Sequence, residues 1–79
     1  MPELKQTLAD IAKALVDDPE SVVVAAQEDD GFVTLTLSVA PDDMGKVIGR
    51  HGRIAKEIRT LMKAAGNRQN KKVTVEIVD

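Results

Sequence analysis

The stretch FVTLTLSV, residues 32–39, sets Val33, Leu35, Leu37 and Val39 on one side of an extended chain and Phe32, Thr34, Thr36 and Ser38 on the other. Alternation of this kind predicts a strand with one apolar face, which needs a covering layer on that side. A second run, SVVVAAQ at 21–27, is also strand-like. The EDDG between the two runs reads as a hairpin turn, with Asp30 and Gly31 supplying residues that tolerate positive φ. The two strands are therefore antiparallel.

Helices on both sides of the hairpin can supply the cover. Leu4, Leu8, Ile11, Leu15 and Val16 recur at helical spacing, with Pro2 just inside the start and DDP at 17–19 as the stop. PDDMGKVIG, 41–49, has acids suited to a helix N-terminus and a length of roughly two turns, ended by Gly49. A longer helix begins near Gly52 and runs to about Ala65, with Gly66-Asn67 as its stop. At 3.6 residues per turn its apolar arc holds Leu61, Ile54, Ala65, Ile58 and Met62, opposite Arg53, Lys56, Lys63 and Arg59. KKVTVEIVD closes the chain as a strand with Val73, Val75 and Ile77 on one face.

The order α-β-β-α-α-β predicts an α+β domain of two layers, three helices against a three-stranded mixed sheet. The last strand follows a two-helix crossover, which permits parallel pairing, and the strand at 32–39 is expected in the middle. A chain of 79 residues makes one domain, 1–79, with a small core that a partner interface would help. With 43% hydrophobic and 30% charged residues it has the composition of an ordinary folded domain. The absence of cysteine excludes disulfides and thiolate metal sites. The charged N-terminal segment has neither the apolar core of a signal peptide nor the length of apolar chain that spans a bilayer, so a cytoplasmic protein is expected.

Charge is divided along the chain. Residues 1–44 hold two lysines against ten acids, whereas residues 45–72 hold nine Lys or Arg against one Glu. Two explanations compete: a local footprint for a polyanion, or two solvated faces that attract each other within the molecule. At the centre of the basic segment lies VIGRHGRIAKEI, where Gly49-Arg50-His51-Gly52 joins two helices. Glycines at this spacing allow a tight connection and let a polymer backbone approach the main chain, and the N–H groups opening the next helix favour an anion. Arg50 and Arg53 add charge, and Lys56, Arg59 and Lys63 continue it, which suits a phosphodiester better than a small carboxylate. A plain helix-turn-helix connection is the alternative reading of the two glycines.

At these residues the chain resembles the KH domain family, whose signature is Val-Ile-Gly-x-x-Gly followed by a basic helix with spaced aliphatics. The element order is that of the bacterial type II KH fold, and GRHGRIAKEIRTLMKAAG is similar to the small stand-alone bacterial KH proteins of the KhpA (YlqC) family. The resemblance implies single-stranded RNA as partner, with about four nucleotides held at the loop. It implies contact through Lys46, Val47, Ile48, Gly49, Arg50, His51, Gly52, Arg53, Ile54 and Lys56. Arg50 and His51 would face the sugar-phosphate backbone, and bases would lie in an aliphatic groove lined by Val47, Ile48 and Ile54 with part of the strand. Many KH domains carry an aliphatic residue three positions after the second glycine; here that position is Ala55. With Phe32 as its sole aromatic, the chain cannot build the stacking platforms of other RNA-binding folds.

The resemblance also implies a homodimer, or a heterodimer with a larger KhpB (Jag/EloR)-type protein, and an RNA chaperone role in cell elongation and division. A protein-interaction module that retains the fold and uses its helices for a partner is the second function class. No nucleophile-base pair or metal cluster stands out, and GKVIG is not a Walker loop, so neither turnover, nor a cofactor, nor a small-molecule substrate is expected. His51, the sole histidine, reads as a loop residue and not as a metal ligand.

Overall fold

A computed structural model describes residues 3–78 of the chain; the helix-start role expected of Pro2 lies outside them. The elements follow as α1 (Leu4–Leu15), β1 (Val23–Asp29), β2 (Phe32–Ser38), α2 (Met44–Ile48), α3 (Arg53–Arg68) and β3 (Lys72–Val78). Short 3-10 turns at Pro19–Ser21, Pro41–Asp43 and Arg50–Gly52 connect them. The sheet order is β1-β2-β3, with β1 antiparallel and β3 parallel to the central β2. This is the two-layer α+β architecture the sequence predicts.

Register follows from the alternation. Val24 pairs with Leu37, Leu35 with Val75, and Val33 with Val73, so the buried side chains of three strands share one face. Leu8 from α1 and Met62 from α3 fill the space above Leu35 and Leu37, and Val47 from α2 completes the fully buried set. Thr34, Thr36 and Thr74 lie across the other, helix-free face. The hairpin turn is tighter than the four residues expected for it. Asp30 and Gly31 alone form it, at φ 51° and 81°, and Glu28 and Asp29 extend β1 as paired residues. At the other end β1 begins two residues late, because Ser21 belongs to a 3-10 turn in which its Oγ donates to Asp18 Oδ2 at 2.6 Å.

Two expectations for the helices change. In α3 the helix does not stop at Gly66, which is a buried residue inside it: an added Cβ there would overlap the Val73 side chain and crowd the Lys71 carbonyl. This glycine brings α3 and β3 together. Asn70, at φ 63°, is the left-handed residue that ends the helix, with Lys71 N–H donating to Gly66 O at 2.8 Å and Asn70 N–H to Asn67 O at 3.1 Å. The buried stripe of α3 is accordingly Ala55, Ile58, Met62 and Gly66, and Leu61, placed by periodicity on the apolar arc, is 56% exposed. In α1 the inner stripe is Leu4, Leu8 and Ala12, with Leu15 exposed at its end.

Candidate functional site

The loop between α2 and α3 is built on three residues of positive φ, the first of which directly follows α2. Arg50 alone interrupts the run: Gly49 has φ 75° and ψ 174°, His51 φ 57° and ψ 24°, and Gly52 φ 72° and ψ 15°. Gly49 closes α2, its N–H donating to Gly45 O at 2.8 Å, and Gly52 N–H donates to Gly49 O at 3.2 Å. No side chain caps the start of α3, for which Gly52 is the N-cap. The space that a Cβ on Gly52 would occupy is open, so an approaching group meets main chain there. Arg50 and His51 are both exposed at the tip.

From this tip a polar stripe runs down α3. Arg53, Lys56, Thr60 and Lys63 fall within about 80° of arc when successive residues are turned 100° apart, and all four are exposed. Arg59 turns the other way, its Nε donating to Val75 O on the outer edge of β3 at 3.3 Å. Among the described residues the basic segment makes few ion pairs with the acidic one. Lys71 pairs with Glu28 at 2.9 Å, and Lys46 with Asp17 at 3.1 Å and Asp43 at 3.4 Å. Arg50, Arg53, Lys56 and Lys63 make no ion pair among the described residues. Of the two explanations for the divided charge, mutual neutralisation accounts for Lys46 and Lys71 but not for the loop and stripe.

The expected contact residues thus separate into three groups. Arg50, His51, Arg53 and Lys56 are exposed around Gly49 and Gly52; Ile48 and Ile54 are half-buried beside them, Ile54 directly against Gly49. Val47 is 0% exposed and packs in the core, so it supports the loop from beneath and lines no groove. Ala55, in the place of the expected aliphatic, is buried as well.

Lys46 has a structural task. It lies across Asp43, a carboxylate 2% exposed that accepts from the N–H groups of Asp18 at 3.0 Å and Asp17 at 3.3 Å. Burial pushes the Asp43 carboxyl up, but the Asp18 and Asp17 N–H bonds and the Lys46 ammonium outweigh it and hold the group below its ordinary 3.8. Asp17, then Asp43, raise Lys46 above its ordinary 10.5 against the opposing effect of burial. The arrangement ties the end of α1 to the start of α2 and so fixes the platform of the loop. Sequence periodicity missed it, because Asp43 reads as one more acid at a helix start; only the 25-residue separation of Asp18 and Asp43, closed by the fold, exposes its role.

No group of three or more His, Cys, Asp or Glu able to hold a metal occurs among the described residues, and no described helix is long and apolar enough to cross a membrane. The fold is similar to part of the solved structure of Era in complex with MgGDPNP and nucleotides 1506–1542 of 16S ribosomal RNA, with a TM-score of 0.66 at 19% identity, over 94% of this chain and 28% of that one. Among sequence relatives, a Clostridium acetobutylicum protein named RNA-binding protein KhpA is 55% identical over 95% of this chain and all of its own length. Proteins of the same name from Caldanaerobacter subterraneus and Listeria monocytogenes are 53% and 47% identical over 99% and 96% of this chain, each covered in full. A family model described as KhpA/KhpB, KH domain, matches residues 5–77. The glycine-bracketed loop, the sheet order and the full-length relatives lead to one conclusion: the chain belongs to the KhpA/KhpB KH-domain family.

Proposed function

We propose that this protein binds single-stranded RNA at the Gly49–Gly52 loop, with Arg50, His51, Arg53 and Lys56 holding the sugar-phosphate backbone and Ile48 and Ile54 offering an apolar edge to the bases. The observation that carries this reading is the set of cations, without an ion pair among the described residues, clustered around a loop whose main chain is open at Gly52. The names of the relatives support it: each is called an RNA-binding protein. Lys46 and Val47 act by holding the loop in place.

The family resemblance extends the proposal to a cytoplasmic RNA chaperone with a role in cell elongation and division, working as a homodimer or paired with a KhpB-type protein. Linking two such loops raises avidity without any new kind of contact.

Titration of a short mixed-sequence single-stranded RNA into the native chain and into an Arg50→Asp, His51→Asp variant tests the reading. Circular dichroism checks that both are folded, and light scattering gives their mass. The expected result is binding by the native chain, loss of at least tenfold in affinity in the variant, and the same mass for both. Unchanged affinity in the folded variant contradicts the loop as the contact.

A further inference from the structure

At the end of α3 remote from the loop, Phe32, Lys63, Asn67, Lys72 and Thr74 line a cleft of about 330 Å³. It is the place where the chain's sole aromatic residue meets the basic stripe. Phe32 is 60% exposed, and Lys72 Nζ lies 5.7 Å from the centre of its ring. The helix-free face of the sheet has no layer above it, so Phe32 is exposed there and core packing does not account for an aromatic side chain at the first position of the central strand.

The stripe leads to this cleft. Asn67 continues the line of Arg53, Lys56, Thr60 and Lys63 on the same side of α3, so polar and cationic groups extend without a gap from the loop to the ring. Lys63 stands about 15 Å and Asn67 about 21 Å along the axis from Arg53. Lys63 and Lys72 make no ion pair among the described residues. Across the sheet the row is Asp29, Phe32, Lys72, so the cations lie on the α3 side of the ring and an acid on the other.

We infer that this cleft is a second nucleotide subsite, in which one unstacked base of a single-stranded RNA lies against Phe32, with Asn67 hydrogen-bonding its edge and Lys63 and Lys72 holding the flanking phosphates. The inference rests on the RNA-binding reading of the loop and adds a length requirement to it. An RNA long enough for the loop alone leaves the cleft empty; a longer strand fills both. Stacking on an aromatic side chain tolerates any base, so the subsite adds affinity for length and not for sequence.

The test compares a mixed-sequence RNA of about five nucleotides with one of about twelve, against the native chain, Phe32→Ala and Phe32→Leu. Phe32 is largely exposed, so neither change empties the core, and the leucine variant keeps apolar bulk while removing the ring. Both variants are expected to lose about tenfold in affinity for the longer RNA and less than about twofold for the shorter. The amide resonances of Asn67 and Thr74 are expected to shift with the longer RNA only. Equal affinities of native chain and folded variants for the longer RNA, or an equal loss on both lengths, overturn the subsite and leave the loop reading standing. Failure of the native chain to bind either RNA overturns both.

Discussion

At Gly49 a side chain has no room, because an added Cβ would lie 2.6 Å from Ile54 Cγ1, and the backbone at φ 75° and ψ 174° occupies a region essentially confined to glycine. Gly52 differs. Its φ of 72° and ψ of 15° are left-handed, which asparagine also adopts, and nothing lies within 4 Å of the position a Cβ would take. Gly49→Ala is therefore expected to destabilise the fold by about 1–3 kcal/mol, whereas Gly52→Asn costs less than about 1 kcal/mol. Urea unfolding of the two variants checks the order. The pattern of two glycines three apart was legible in the sequence, but not their division of labour, which depends on where Ile54 packs. Val47 shows the same limit: adjacent aliphatics at a helix end give no sign of which one faces inward, and the structure buries Val47 fully.

The elements repeat this lesson at a larger size. The alternation at Val33, Leu35 and Leu37 and the Asp30-Gly31 turn were readable because each encodes its geometry locally. Gly66 was not. Its role comes from the close approach of Val73, a residue of another element, while the stop itself falls to Asn70. Between α1 and α2 the Asp43 link is likewise a product of the fold, and it carries a pH signature. Because the folded state holds the Asp43 carboxyl below its ordinary 3.8, its stabilising effect is complete above that value and is lost as pH falls through the lowered one. Lys46 has the opposite sense: its contribution is complete below its ordinary 10.5 and is lost as pH rises through the raised value. The native chain is expected to exceed Asp43→Asn in stability at neutral pH, with the gap closing below about pH 4. Urea midpoints for both proteins from pH 7 down to pH 2 measure that gap. A gap independent of pH contradicts an ionised Asp43 as its source.

For the molecule as a whole, the net charge of −2 conceals a fold that gathers cations at one loop and along one helix. The division was visible in the sequence by counting. What counting could not supply was which cations are already neutralised, and the structure assigns that to Lys46 and Lys71. The loop and the stripe down α3 make no ion pair among the described residues, and RNA phosphates are their proposed partner. The salt dependence of single-stranded RNA affinity measures that pairing. If Arg50, Arg53, Lys56 and a neighbour make about three phosphate contacts, each releasing ~0.7 of a counterion, the slope of log affinity against log salt is about −2. A slope near zero, with binding intact, would mean that the cations do not hold the RNA backbone.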